Sequence, residues 1–260
     1  MKKNLQLLSI LLLAVFGLST SFAQTVEELL KQGDQFVEDY QNQKALDTYL
    51  KADKLSPNNW EVLWRISRAH VDLGEKMPDK TDAQKDEQEK VYQKAFEYAD
   101  KSVKNGSGQS ITYVRRAIAN GRIALFQGVF SAVGTVNDVK EDCEKAIQLG
   151  NGGNYVQALA HYVLGRTHSK VCEKSYLVRL PIGLGWGDTE EAIRLLEIAN
   201  KLKPNFRMFM FELAKAYVEE DEYDKAKELL KKIEKAPKVD EDDDRVLAEA
   251  KKLYEEIKNE

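Results

Sequence analysis

The stretch LLKQGDQFVEDYQNQKALDTYLKADKLSP, residues 29–57, decides the fold. Its spaced residues are Leu29, Gly33 and Phe36, and then, after a gap of nine, Ala45, Tyr49, Ala52 and Pro57. Small residues at these positions let two antiparallel helices approach closely, and the aromatic rings fill the gaps beside them. Proline stops the second helix. The stretch therefore predicts a tightly packed helix pair.

These offsets match the 34-residue tetratricopeptide pattern, and related spacings recur along the chain. We expect an all-α, right-handed tetratricopeptide-repeat solenoid with long insertions in the middle repeats. The predicted repeats are 25–58, 60–107, 110–151, 158–204 and 207–238, followed by a C-terminal capping helix over 240–258. The acidic run 240–244 fits the start of that helix, where the helix dipole favours carboxylates.

The first 23 residues resemble a secretory signal peptide. Lys2 and Lys3 precede an apolar stretch over 5–18, and Ser21-Phe22-Ala23 forms a small-x-small cleavage site. We expect a mature chain of 24–260 without a transmembrane segment, exported to the periplasm or cell envelope of a Gram-negative bacterium. An uncleaved anchor is the alternative.

Charge and composition restrict the function classes. The chain has 39 basic and 43 acidic residues, and 32% of its residues are charged. Loss of Lys2 and Lys3 with the signal leaves 37 basic residues and a net charge of −6. Nucleic-acid binding is disfavoured, because it needs a net basic surface.

Several segments resemble the regulator of microtubule dynamics family. They are EVLWRISRAHVDLG (61–74), AFEYA (95–99) and the region 144–204, and the resemblance covers roughly residue 60 to the C-terminus. It implies a tetratricopeptide domain with long connections in its middle repeats, and a binding or adaptor protein without catalysis. The eukaryotic family name does not transfer as a function to an exported bacterial chain.

The histidines and cysteines are the natural candidates for a metal or catalytic site. His161, His168 and Cys172 share one helical face, but the repeat register places both histidines at packing positions. No Gly-x-Ser-x-Gly, phosphate-binding glycine loop or His-Glu-x-x-His motif is present. We therefore predict no enzyme, metal or cofactor. Cys143 and Cys172 are the one available disulfide pair in an exported chain, and the sequence leaves their pairing open.

The concave face of the first helices is the predicted binding surface. One position of the register carries an aromatic residue in three repeats, and a cation follows four residues later: Trp64/Arg68, Tyr162/Arg166 and Phe211/Lys215. Each pair can stack a planar or apolar group and hold an anion. We expect a peptide or protein partner, or alternatively an anionic lipid or another amphipathic anion. Ordinary packing between repeats is the competing interpretation.

The insertion YLVRLPIGLGWG, residues 176–187, is too apolar for an ordinary loop. Its large apolar residues are Tyr176, Leu177, Val178, Leu180, Ile182, Leu184 and Trp186. It either folds over the adjacent repeats and extends the core, or it covers the groove or touches a partner.

Overall fold

The computed structural model describes residues 24–128 and 130–260, and the expected signal peptide lies outside this part of the chain. The described residues form helices and connecting loops without a strand. The helices are α1 (Val26–Glu38), α2 (Asn42–Leu55), α3 (Trp60–Glu75), α4 (Asp82–Asn105), α5 (Ser110–Ala124), α6 (Ala132–Leu149), α7 (Gly153–Cys172), α8 (Tyr176–Arg179), α9 (Thr189–Leu202), α10 (Arg207–Glu219), α11 (Tyr223–Lys235) and α12 (Asp243–Ile257). The predicted all-α tetratricopeptide solenoid is confirmed.

Long helices pack as successive antiparallel pairs. The pairs are α1 with α2, α3 with α4, α5 with α6, α7 with α9, and α10 with α11, and α12 packs on the last pair. The first helices also touch one another, α3 with α5, α5 with α7 and α7 with α10. They therefore line one common face of the solenoid.

The glycine in the pattern of residues 29–57 allows an aromatic ring of the partner helix to approach closely. A Cβ added at Gly33 would lie 2.2 Å from Cε1 of Tyr49, and one added at Gly74 would lie 2.5 Å from Cε1 of Tyr92. The same contact thus recurs in two successive repeats. Ala45 and Ala52 on α2 are fully buried, as the pattern requires.

The two long connections differ in structure. The extra residues of the second repeat mostly lengthen α4, which begins at Asp82 behind a capping box formed by Thr81 and Gln84. Those of the fourth repeat remain a loop between α7 and α9 that contains only the short helix α8. None of the described helices is long and apolar enough to cross a bilayer.

Candidate functional site: a concave channel and its acidic strap

The first helices enclose a cavity of about 1210 Å³, here called the concave channel. Its walls mix large apolar side chains with ionic groups. Aromatic and aliphatic contributions come from Trp64, Tyr155, Leu159, Tyr162, Phe206, Met208 and Phe209. This volume exceeds the range of about 300–1,000 Å³ that is usual for small-molecule sites.

Four of the six predicted groove residues line the channel, namely Trp64, Arg68, Tyr162 and Arg166. Phe211 and Lys215 are not among its lining residues; the Lys215 ammonium lies 5.1 Å from the Phe211 ring centre and pairs with Glu212 at 2.8 Å. On α10 the channel wall is formed by Met208 and Phe209 instead. Side chains two residues apart on an α-helix differ in direction by about 200°, so residues 209 and 211 lie on nearly opposite faces of α10.

Within the predicted pairs, each cation is held by a carboxylate. Arg68 Nε lies 3.3 Å from Asp72, and Arg166 Nε lies 3.5 Å from Glu212. The Tyr162 ring is buried and stacks on Phe209 with 4.6 Å between ring centres. Tyr162 therefore acts first as packing between repeats.

Other channel arginines are paired in the same way. Arg65 forms a bidentate contact with Asp34 at 2.8 and 3.0 Å, and Arg122 pairs with Glu75. Burial raises the pKa of Glu75, although Arg122 opposes the shift. Most of the arginines that line the channel are therefore compensated by carboxylates of the protein itself.

Arg115 of α5 differs from these arginines, and also from Arg179, whose guanidinium donates to the Gly187 carbonyl. Arg115 is 7% exposed and lines the channel. In residues 24–128 and 130–260 its guanidinium has no ion pair or hydrogen bond, and its buried Nε atom has no partner. The guanidinium carbon lies 5.5 Å from the centre of the Trp64 ring. Burial, and next the nearby Arg68, lower the pKa of Arg115 to about 10, so the group stays charged at neutral pH.

Residues 239–242, here called the acidic strap, lie between α11 and α12 and line the channel. Glu241 accepts a hydrogen bond of 2.9 Å from Asn42 of α2, and Asp242 lies 2.8 Å from the Lys76 ammonium at the end of α3. The strap is fixed at its base by Asp243, whose carboxylate accepts from two strap N–H groups at 2.7 and 2.9 Å. It therefore joins the last repeat to the first two.

The insertion 176–187 divides into an exposed first half and a more buried second half. Leu184 is buried and Ile182 lines the channel, while the Trp186 indole N–H donates to Asn137 at 2.8 Å. Tyr176, Leu177, Val178 and Leu180 are exposed, with Leu177 at 83%. The second half of the insertion extends the core and the channel wall, and the first half remains on the surface.

The histidines have local structural partners. His168 Nδ1 accepts from the Asp188 N–H at 3.2 Å, and His161 Nδ1 lies 2.8 Å from the Gln157 carbonyl oxygen. His70 stacks on Tyr98 with 5.8 Å between ring centres. In the described part of the chain, no group of three metal-ligating side chains is suitably placed for an ion.

Both cysteines are free. Cys143 is buried in the core between α6 and its neighbours, and Cys172 is partly exposed at the end of α7. Burial raises the pKa of the Cys143 thiol well above its usual value, which keeps it protonated and unreactive.

Sequence reasoning missed Arg115, Tyr155 and the strap. A signal for Arg115 was present, because it follows buried Val114 as Trp64 follows buried Leu63. The third repeat is the least regular, so its register could not be assigned from the sequence. The contact between Asn42 and Glu241 joins residues 199 positions apart and has no sequence signal.

Comparison with known proteins agrees with this architecture. The chain is 24% identical to regulator of microtubule dynamics protein 1 of Bos taurus over 234 residues, covering 88% of this chain and 71% of the relative. The protein of the same name from Mus musculus is also 24% identical, with 73% of its length covered.

Two solved structures share the fold. A thermophilic tetratricopeptide protein of Thermus thermophilus superposes with a TM-score of 0.65 at 19% identity, covering 88% of this chain and all of the other. PilF of Pseudomonas aeruginosa gives a TM-score of 0.55 at 11% identity, covering 90% and 93%. The family model described as regulator of microtubule dynamics protein 1–3 matches residues 29–258. The chain therefore belongs to the regulator of microtubule dynamics protein 1–3 family.

Proposed function

We propose that this protein is a non-enzymatic binding scaffold that holds a segment of a protein partner in the concave channel. The observation that carries the proposal is the channel itself, whose 1210 Å³ suits a chain segment better than a compact small molecule. Its walls alternate rings with ion pairs, which suits a segment with both apolar and charged side chains. The non-enzymatic part of the proposal is supported by the sequence, which carries none of the catalytic motifs considered above.

The expected site of action is the periplasm or cell envelope, since the sequence begins with a signal-like segment. Sequencing the N-terminus of the protein from its source cells tests this part. Export with cleavage predicts a chain beginning at Gln24, whereas an intact Met1 contradicts it.

Site-specific crosslinking tests the scaffold proposal. A photoreactive phenylalanine analogue replaces Tyr155, which lines the channel and is 37% exposed. The matched control carries the analogue at Lys252 of α12, whose side chain is 81% exposed and does not line the channel. We expect a discrete protein adduct in source cells from position 155 and none from position 252. Adducts only from position 252, or the same adducts from both, contradict channel binding.

A second candidate function is carriage of an amphipathic anion such as an anionic lipid. One specific observation favours it, because an unpaired cation, Arg115, lies among apolar walls. Native mass spectrometry of the purified protein distinguishes the two candidates. A stoichiometric small-molecule adduct supports the carrier, and an apo mass together with the crosslinked protein supports the scaffold.

A further inference from the structure

Among the described residues, Arg115 has neither kind of partner that the other channel arginines have, since Arg179 donates to the Gly187 carbonyl and the rest form ion pairs. Arg65, Arg68, Arg122 and Arg166 each contact a carboxylate. A buried ion without a partner loses its hydration and gains nothing in return, which destabilises the fold. A protein that keeps such a group at the wall of a cavity has a vacant position for an anion there.

The charges around Arg115 indicate how much negative charge this position accepts. Arg68 and Asp72 are the charged side chains at neutral pH that act on it, and Arg68 already pairs with Asp72 at 3.3 Å. The strap carboxylate Glu241 is held by Asn42 and lies 3.6 Å from the Lys76 ammonium. The cluster of Arg68, Asp72 and Arg115 therefore carries one net positive charge.

A single net charge in a poorly hydrated site is matched by a monoanion. A dianion would leave one negative charge uncompensated beside Asp72, whose pKa burial already raises against the opposing effect of Arg68 and Arg115. A planar carboxylate also fits the guanidinium fork in a bidentate manner. The Trp64 ring beside Arg115 and the apolar walls provide contacts for the group attached to the carboxylate.

We infer that Arg115 is the anchor for a carboxylate that ends an apolar chain, with Arg68 and Trp64 forming the remainder of this anion site. The inference rests on the proposed function, since the ligand enters the same channel. Two sources present this chemistry, the C-terminus of a peptide and a fatty acid. They share the anchor and differ in what fills the apolar walls.

Calorimetric titration of the refolded protein tests the inference with four defined probes. Decanoate and decanol differ only in the charged end, and an apolar hexapeptide is used with a free or an amidated C-terminus. We expect at least one carboxylate probe to bind at least tenfold more tightly than its neutral counterpart. Tighter binding by the free peptide identifies a protein C-terminus as the source, and tighter binding by decanoate identifies a fatty acid.

Three variants locate the anchor. Arg115→Met should reduce carboxylate affinity at least tenfold and leave decanol affinity unchanged, while Arg115→Lys should retain part of the carboxylate preference. Arg116→Met is the matched control, because the neighbouring side chain pairs with Asp142 and Asp100 and is absent from the channel lining. It should leave both affinities unchanged.

Clear outcomes overturn the inference. Equal affinity for charged and neutral probes, no binding by any probe, or an unchanged carboxylate preference in both Arg115 variants would do so. Tighter binding of decyl phosphate than of decanoate at pH 8 would contradict the single-charge argument. If a partner still crosslinks at position 155 in the Arg115→Met protein, the scaffold proposal holds and the inference that Arg115 is the anchor is wrong.

Discussion

Replacing Arg115 by methionine is expected to stabilise the unliganded protein, which is an unusual result for a buried residue. Burial and the nearby Arg68 lower the pKa of Arg115 well below its ordinary value, to about 10. Because a tenfold change in proton affinity corresponds to about 1.4 kcal/mol, keeping this guanidinium charged costs the fold about 3 kcal/mol. Methionine replaces the aliphatic stem of arginine and carries no charge, so it removes this cost and retains the contacts of the stem.

The adjacent arginine should behave in the opposite way. Arg116 lies 2.7 Å from Asp142 and 2.9 Å from Asp100. Asp142 is buried, and burial raises its pKa although Arg116 opposes the shift. Arg116→Met leaves that carboxylate without its partner, and breaking such a pair costs about 3–5 kcal/mol.

Urea and thermal unfolding at pH 7 measure both effects on refolded protein, since a retained ligand would stabilise the wild type selectively. Allowing for some lost packing, we expect Arg115→Met to gain about 2 kcal/mol and roughly 4–8 °C in Tm. We expect Arg116→Met to lose about 3 kcal/mol. If Arg115→Met destabilises the protein as much as Arg116→Met does, the guanidinium is satisfied in solution and the reasoning is refuted.

Three further predictions concern the repeats, one histidine and the strap. Gly33→Ala should lower the free energy of unfolding by about 1–3 kcal/mol, because the added Cβ meets the buried ring of Tyr49. The control Gly121→Ala has open space at its Cβ and should be neutral or gain up to about 1 kcal/mol. Equal chemical-unfolding midpoints for the two variants would contradict this prediction. Burial, and next Lys94, lower the pKa of His70 to about 4, so the unfolded chain binds the extra proton between about pH 6.5 and pH 4 and stability falls as the pH falls through that window. His70→Phe should remove this loss of stability, which is at most about 3 kcal/mol before allowance for the ring's remaining solvent contact. If the unfolding free energy still differs between pH 7 and pH 5 by the same amount as in the wild type, the prediction is wrong. Lys76→Ala removes the ion pairs to Glu241 and Asp242 and should speed amide exchange over residues 239–242 by up to about fivefold at low salt. The effect should be smaller at high salt, which screens ion pairs. An unchanged exchange rate would show that these ion pairs do not hold the strap.

The fold could be predicted because its determinants are local. Gly33 and Tyr49 lie within one helix pair, so their spacing along the chain reports directly on the contact between the helices. The same periodicity placed Trp64 and Tyr162 on the face that encloses the channel. The beginning of α4 was also encoded in the capping box of Thr81 and Gln84, although the sequence reasoning treated that region as an insertion.

The site could be predicted only in part, because its chemistry depends on long-range geometry. A register extrapolated over five repeats included Phe211 and Lys215, but the channel wall on α10 uses other faces of the helix. Whether an arginine is paired depends on helices that are distant in sequence, so the sequence does not show that Arg116 has a carboxylate partner and Arg115 has none. The strap depends on contacts to Asn42 and Lys76, which no local pattern specifies.

The central claim is that the concave channel anchors a carboxylate at Arg115. A crystal structure of the protein with the tighter-binding carboxylate probe tests this most directly. The account predicts carboxylate oxygens about 2.7–3.0 Å from the Arg115 guanidinium nitrogens, with the apolar chain against Trp64. A probe bound outside the channel, or one inside it with its carboxylate away from Arg115, would contradict the account.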